Sequence, residues 1–422
     1  MAANGARLGR VAVSGLIAAR RDEHFAADAR LTRLPARLAQ RVSLLRDGPE
    51  TYAAMLRAFD RAANRINVLS YALQTGEVGE RVADGLIRAA ARGVEVRVLY
   101  DRIGGIDCAT GTFEALRKHG IAALAVRPPG TTLRKLLRGA AVTNRRNRRK
   151  IATVDGRVGF IGGVNITQSY WRNSRVLRRR RRRHETPADD LWRDTHLELH
   201  GPAVADLDGV FAADWTHVGG RDGAWCPRAP TPGPVQGAGG TIVRIVTTSH
   251  RRSRFNEPFA LYAEALRRAR ETICLTQSCF APPMWLLREV CDAARRGVDV
   301  QLIVPERSDN RIALYASRSN YARLLDAGVH LYEMTGSFLH TRTMVVDGWW
   351  SIVGSANLDM RSWLHNDETC AVVYDDGFGE RMEALFENDL AACRVLSKRR
   401  WQRRGFGEHI KEHATRPLYR WL

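Results

Sequence analysis

The stretch NRRNRRKIATVDGRVGFIGGVN, residues 144–165, decides the fold and poses the functional question. Two β-branched, apolar runs, KIATV and VGFIG, flank an Asp-Gly pair, the pattern of two strands joined by a tight turn. Such a hairpin brings a cationic end, Arg148 and Lys150, beside a Gly-Gly-Val-Asn end at 162–165. The stretch recurs as HTRTMVVDGWWSIVGSAN at 340–357. Aligned on their glycines, Lys150 matches Arg342, Asp155 matches Asp347, Gly163 matches Ser355 and Asn165 matches Asn357. One pair differs in kind: His340 of the second copy corresponds to Arg148 of the first.

Outward from these hairpins the repeat continues. RINVLSYAL, GLIRAAARGVEVRVLYDRIG and TFEALRKHGIAALAV precede the first, and TICLTQSCF, REVCDAARRGVDVQLIVPE and YARLLDAGVHLYEM precede the second. Each AARGVEV-type segment reads as a helix end, a glycine stop and a strand. The order predicts an α/β fold of two repeats, each a mixed, mostly buried sheet flanked by helices. Two such halves pack about a pseudo-twofold axis, so that equivalent loops share one site. The expected boundaries are an N-terminal segment at 1–40, a first repeat at 41–224 and a Pro- and Gly-rich linker at 225–240. A second repeat follows at 241–396, then a basic, aromatic tail at 397–422.

The 422-residue chain carries a formal charge of +21, which calls for an anionic partner: nucleic acid, anionic lipid or a phosphorylated substrate. Seven scattered cysteines without a CxxC pair argue against a disulfide framework and a zinc site. No apolar run reaches the roughly 18 residues of a membrane span. RLGRVAVSGLIAARR, at 7–21, imitates a signal peptide but lacks a convincing cleavage site, and a surface helix is the preferred reading.

The residue types at the repeated loop suit phosphoryl chemistry. An imidazole near neutral pKa serves as nucleophile or proton carrier. Lys and Arg neutralise non-bridging oxygens, while Asn and Ser donate hydrogen bonds to them. Small residues let the backbone approach.

These paired motifs resemble the signature of the phospholipase D superfamily, most closely in its bacterial cardiolipin synthases. Similarity extends through LLRDGPETYAAML, WRDTHLELHGPAVADL, VGSANLDMRS and NDETCAVVYDD, across about residues 40–400. The resemblance implies a two-step transfer through a phosphohistidine, with no metal and no cofactor. One phosphatidylglycerol gives its phosphatidyl group to another, forming cardiolipin and releasing glycerol. Carried over by position, the catalytic set is His340, Arg342 and Asp347, with Arg148, Lys150 and Asp155 as first-motif equivalents. Asn165, Ser355 and Asn357 fall at phosphate-binding positions, and Asp194 and Glu368 match carboxylates that orient a histidine. A loop-holding part suits Asp155 and Asp347 better than substrate contact.

Two positions depart from the pattern. Arg342 replaces a lysine and keeps the charge, with a larger, differently aimed fork. Arg148 replaces the first histidine, and arginine neither attacks phosphorus nor shuttles protons near pH 7. Loss of positioned acid–base help costs on the order of 10²–10⁴ in rate. Three readings follow: His340 works with water or a relocated histidine (His184, His196 or His200); the protein is a phospholipid-binding pseudoenzyme; or the substitution inactivates an ordinary synthase.

The Arg178–Arg183 run is read as a solvated loop that attracts anionic membrane, and the basic segment 131–150 either as an interfacial helix with Leu133, Leu136 and Leu137 in the lipid or as an amphipathic helix capping the fold. The tail, with Trp401, Phe406, Tyr419 and Trp421, suits an interfacial anchor or a helix packed on the domain. The expected partner is an anionic membrane containing phosphatidylglycerol and cardiolipin, met peripherally from the cytoplasmic side. A phosphodiesterase acting on nucleic acid is the rival, disfavoured because no aromatic and basic interleaving suggests a base-stacking platform.

Overall fold

Both Asp-Gly pairs turn through the left-handed region, with φ of +54° and +66° at Asp155 and Gly156 and +49° and +67° at Asp347 and Gly348. This geometry turns the chain at the head of each hairpin, where three residues, 155–157 or 347–349, connect the last paired residues Val154 and Val158 or Val346 and Trp350. Around the two hairpins the computed structural model describes residues 18–74, 76–101, 110–126, 146–171, 191–220, 240–248, 255–405, and positions 412 and 415. The Arg178–Arg183 run, His184, residues 131–145, most of the linker, and Phe406, Tyr419 and Trp421 lie outside the described residues.

The first lobe holds a seven-stranded sheet in the order Arg41–Arg46, Thr195–His200, Val158–Gly162, Ile151–Val154, Arg65–Ser70, Glu95–Asp101, Ala122–Val126. In the second lobe Thr241–Thr247, Thr369–Tyr374, Trp350–Gly354, Arg342–Val346, Thr272–Gln277, Asp299–Pro305 and His330–Met334 run in the same order. In each sheet the last three strands are parallel and the rest antiparallel, so the sheets are mixed. The parallel strands are linked by amphipathic helices, Glu77–Ala91 in one lobe and Met284–Arg295 in the other, which cover the outer faces.

The inner faces meet. Ile161, Leu197 and Leu199 of the first sheet share a core with Val345, Val353, Ala371 and Val373 of the second. The helices Val204–His217 and Asp376–Leu390 add Leu207, Phe211, Phe378 and Met382 to this core. Burial on this scale, in side chains with no polar atoms, fixes one lobe on the other.

Elements of the structure cross two of the expected boundaries. Ala36–Ala39, assigned to an N-terminal segment, pairs with Thr241–Thr247 as an edge strand of the second sheet, and the sheet thereby gains a strand. The preceding helix, 18–31, is tied to the same lobe: the Asp28 carboxylate accepts from Trp350 Nε1 at 2.9 Å and Tyr374 Oη at 2.8 Å. The chain crosses to the first sheet within one residue, at Gln40, and a four-residue strand paired 200 residues away leaves no local pattern. At the other end, Cys393–Leu396 forms the opposite edge strand. Trp401 in the following helix is buried against Tyr321, 5.0 Å between ring centroids, so the start of the tail packs on the second lobe. No helix among the described residues is long and apolar enough to cross a membrane.

Candidate active site

The two lobes hold each other by matching backbone bonds at the mouths of the hairpins. His340 N donates to Arg193 O at 2.8 Å, and Arg148 N donates to Asp367 O at 2.9 Å. Each motif position is thereby set beside the segment of the opposite lobe that carries its partner carboxylate, Asp194 or Glu368. This reciprocity is the pseudo-twofold relation expected of the repeats, expressed at the site.

His340 is the better-furnished half. Its Nδ1 lies 2.7 Å from Asp194 Oδ2 and 2.5 Å from the Tyr170 hydroxyl, both from the first lobe. Arg342 Nη2 approaches Nε2 at 2.8 Å, and Arg342 Nη1 bonds His340 O. Arg342 Nη1 also lies 2.9 Å from Nδ1, so the guanidinium spans the ring; the tautomer that pairs Nδ1 with the Asp194 carboxylate carries its proton there and leaves the Nε2 lone pair beside Arg342 Nη2. Burial, followed by the nearby charges of Arg342, Lys150 and Arg148, holds the imidazole well below its usual pKa of 6.5. His340 is therefore neutral at pH 7, the form with a free electron pair once Arg342 moves to a phosphate.

Asp194 is fully buried, and Thr195 N donates to its Oδ1 at 2.8 Å. Burial raises its pKa, against the pull of Arg342, Lys150 and Arg193. Gly163 explains why the first motif has no serine at this point. A Cβ there would lie 2.0 Å from Asp194 Oδ1, so the carboxylate occupies the space a side chain needs.

The Arg148 half keeps the scaffold without the imidazole. Its guanidinium lies 4.8 Å from the centroid of the Tyr71 ring. Burial alone would lower its pKa, but Tyr71, Glu368, Asp359 and Asp309 raise it above the usual value, and it stays charged. Glu368, the counterpart of Asp194, accepts from Ser355 Oγ at 2.6 Å and Ser362 Oγ at 2.9 Å. Lys150 is buried behind Arg148 and donates to Arg148 O at 2.7 Å. Burial first, then Arg342 and Arg148, bring its pKa down to about 7, although Glu368 and Asp194 oppose them.

The other candidates are placed as follows. Asn357 lines the cleft, its Oδ1 accepting from Arg342 Nε at 2.5 Å and Ser278 Oγ at 2.8 Å. Ser355 is buried on Glu368 and does not line the cleft, so it acts on the carboxylate and not at the cleft surface. Asn165 is buried with its amide 3.5 Å from the Tyr170 hydroxyl. Asp347 stands apart from the catalytic set: its carboxylate accepts from the backbone of Arg270, Glu271 and Thr272 at the far end of its strand. Asp155 does the same for Ala63, Asn64 and Arg65. Both aspartates pin the hairpin turn to the neighbouring strand.

Neither described candidate for a relocated histidine reaches the cleft. His196 lies behind Lys150, walled by Thr51, Tyr52 and Ile151, and burial lowers its pKa to about 3. His200 is engaged at the other end of its strand by Glu198 at 2.8 Å and Arg41 at 2.6 Å. Among the described residues, no group of three or more His, Cys, Asp or Glu side chains is arranged to hold a metal ion.

Sequence reading missed three contributors. Tyr170 falls in register with Ser362 when the repeat is carried past the asparagines, and both bring a hydroxyl to the catalytic groups. Arg361 follows the same motif and lines the cleft. Arg193 underpins Asp194: it binds Asp389 of the second lobe through Nε and Nη2 at 2.8 Å, with Asp47 at 3.4 Å. The signal for Arg193 was only its place beside Asp194.

The resulting cleft, about 200 Å³, runs from His340, Arg342 and Asn357 to Arg148 and Arg361, with Trp192 and Phe338 on one wall. The two rings stack at 5.6 Å, and Trp192 lies 5.0 Å from His340. A cationic floor beside an apolar wall fits a phosphate joined to a less polar group.

Comparison with known proteins agrees with this geometry. A family model described as "Cardiolipin synthase, PLD-like domain" matches residues 55–176 and 262–390, one segment per lobe. A cardiolipin synthase from Geobacillus sp. (strain WCH70) is 31% identical over 389 residues, covering 92% of this chain and 74% of that protein. Cardiolipin synthase 2 of Bacillus anthracis is 32% identical over 383 residues, covering 89% and 69%. The crystal structure of phosphatidylserine synthase from Haemophilus influenzae Rd KW20 superposes with a TM-score of 0.66 over 94% of this chain and 100% of that one, at 13% identity, a likeness of fold. Two matched segments bearing the two half-sites, together with relatives alike over nine-tenths of the sequence, place this chain in the PLD-like family of cardiolipin synthases.

Proposed function

We propose that the protein is a phosphatidyl transferase of cardiolipin synthase type, with His340 as its nucleophile. One observation carries the reading: a carboxylate of the first lobe, Asp194, holds Nδ1 of a neutral imidazole from the second, at 2.7 Å. Nε2 then faces a cleft where Arg342 and Asn357 can receive phosphoryl oxygens. In the first step Nε2 attacks phosphorus of one phosphatidylglycerol. The P–N bond forms, the bond to the glycerol oxygen breaks, and glycerol leaves with a proton. In the second step the headgroup hydroxyl of another phosphatidylglycerol attacks phosphorus, loses its proton and displaces His340. With Arg148 in the second histidine's place, water carries these protons, and turnover is slower by an order of 10²–10⁴ than with a positioned imidazole.

The charge of +21 and the apolar wall at Trp192 and Phe338 support peripheral binding to the cytoplasmic face of an anionic membrane. A second reading, a phospholipid-binding pseudoenzyme, draws on the Arg342 contact that caps Nε2. The test is incubation in phosphatidylglycerol vesicles with mass spectrometry of cardiolipin and glycerol. Equimolar products lost in His340→Ala support the transferase, and vesicle binding without products supports the pseudoenzyme. Binding to DNA but not to vesicles at matched salt overturns both.

A further inference from the structure

The first half-site has lost its imidazole but not its ability to hold an anion. Arg148 and Arg361 line the same cleft as His340, one from each lobe. Backbone bonds tie both segments to residues 365–367: Asp367 N donates to Arg146 O at 2.8 Å and Arg148 N to Asp367 O at 2.9 Å, while His365 N and Asn366 N donate to Arg361 O at 2.8 and 3.0 Å. Burial, then the charges of Arg148 and Arg146, lowers the pKa of Arg361, against Asp359 and Tyr71.

The acidic groups near this end are largely engaged elsewhere. Asp359 Oδ1 caps the Met360–Leu364 helix, accepting from Ser362 N at 2.6 Å. Glu368 holds two serine hydroxyls, and Asp309 sits on the exposed rim, accepting from Asn310 N. Arg148 Nε is buried and has no hydrogen-bond partner. A buried charged donor in that state lacks an acceptor that the protein itself does not provide. Tyr71 braces the guanidinium so that it stays at the cleft surface.

The geometry points to a second phosphate site in the cleft, in which Arg148 and Arg361 grip the phosphodiester of the acceptor lipid while the donor phosphorus lies at His340. The substrate class follows: the acceptor is an alcohol that carries a phosphate of its own, and neutral alcohols such as glycerol or diacylglycerol are poor acceptors. The replacement at Arg148 thus exchanges proton transfer for acceptor recognition. This inference rests on the transferase reading for its assignment of donor and acceptor.

The test is isothermal titration of the full chain with deacylated headgroups at fixed ionic strength. The probes are glycerophosphoglycerol, with one phosphodiester; bis(glycerophospho)glycerol, with two; and inorganic phosphate added to protein saturated with the first. The two-phosphate probe is expected to bind about ten- to a hundredfold more tightly than the one-phosphate probe. Arg361→Gln and Arg148→Gln should each bring that ratio close to one, with unfolding curves confirming that both variants fold. A ratio near one in the parent overturns the site, even if the parent makes cardiolipin. Inorganic phosphate filling the site as well as the linked diester overturns the assignment to a lipid acceptor. A high ratio in a parent that makes no cardiolipin leaves the second phosphate site standing and sinks the transferase reading instead.

Discussion

Replacing Asp194 by asparagine tests how the imidazole is set for attack. The side chains are the same size, so Thr195 N can keep its 2.8 Å bond to the Oδ1 position, and the crowding against Gly163 is unchanged. What changes is the group 2.7 Å from His340 Nδ1. A carboxylate oxygen accepts a proton there; an amide turned to keep the Thr195 bond presents N–H instead. The imidazole then accepts at Nδ1 and carries its proton on Nε2, where the lone pair is needed. The expected loss in kcat is on the order of 10²–10⁴, with KM little altered because Arg342 and Asn357 are untouched. Initial rates of cardiolipin formation in phosphatidylglycerol vesicles measure it, with unfolding curves to show an intact fold. A variant that turns over at the parental rate would refute the idea that Asp194 selects the tautomer.

Arg148→His should raise the rate on the order of a hundredfold or more, because Glu368 stands where Asp194 stands for His340 and can orient the new ring; the same vesicle assay measures it. The pH profile of kcat/KM should show two displaced limbs. His340 attacks only when neutral, which its lowered pKa secures, so the acid limb follows ionisation of the Asp194 carboxyl that holds Nδ1, raised by burial to about 7. Lys150, buried behind Arg148, adds its positive field to the cleft only when protonated, so with its pKa at about 7 activity falls as pH rises through neutrality; in Lys150→Arg that basic limb should move to alkaline pH. Arg193→Ala should destabilise the fold by about 3 kcal/mol, since it leaves Asp47 buried and Asp389 with only Arg46 at 3.3 Å. Denaturant unfolding reads that change.

The legible part of the fold was whatever the repeat wrote twice. Asp155 and Asp347, each followed by glycine, marked the hairpins, and the structure adds that their carboxylates cap the next strand. The flanking strands followed from β-branched runs, and the strand order of one sheet repeats in the other. Contacts made once were not legible. Ala36–Ala39 pairs with a strand 200 residues away, and nothing in ARLA announces it. Arg193 reaches Asp389 across the lobe interface, a contact between residues 196 apart that only the assembled structure creates. At the site, sequence located the histidine and the basic residues but not their order of contact. That Arg342 lies on Nε2 and Tyr170 on Nδ1 depends on side-chain directions, which spacing does not encode.

The most direct measurement is to trap the covalent intermediate. Phosphatidylglycerol labelled in the phosphorus, mixed briefly with the protein and quenched in base, should leave an acid-labile label on the peptide carrying His340. The label should be absent from His340→Ala and retained in Arg148→Gln. Cardiolipin formation with no label at His340, or with the label on another residue, would contradict the account.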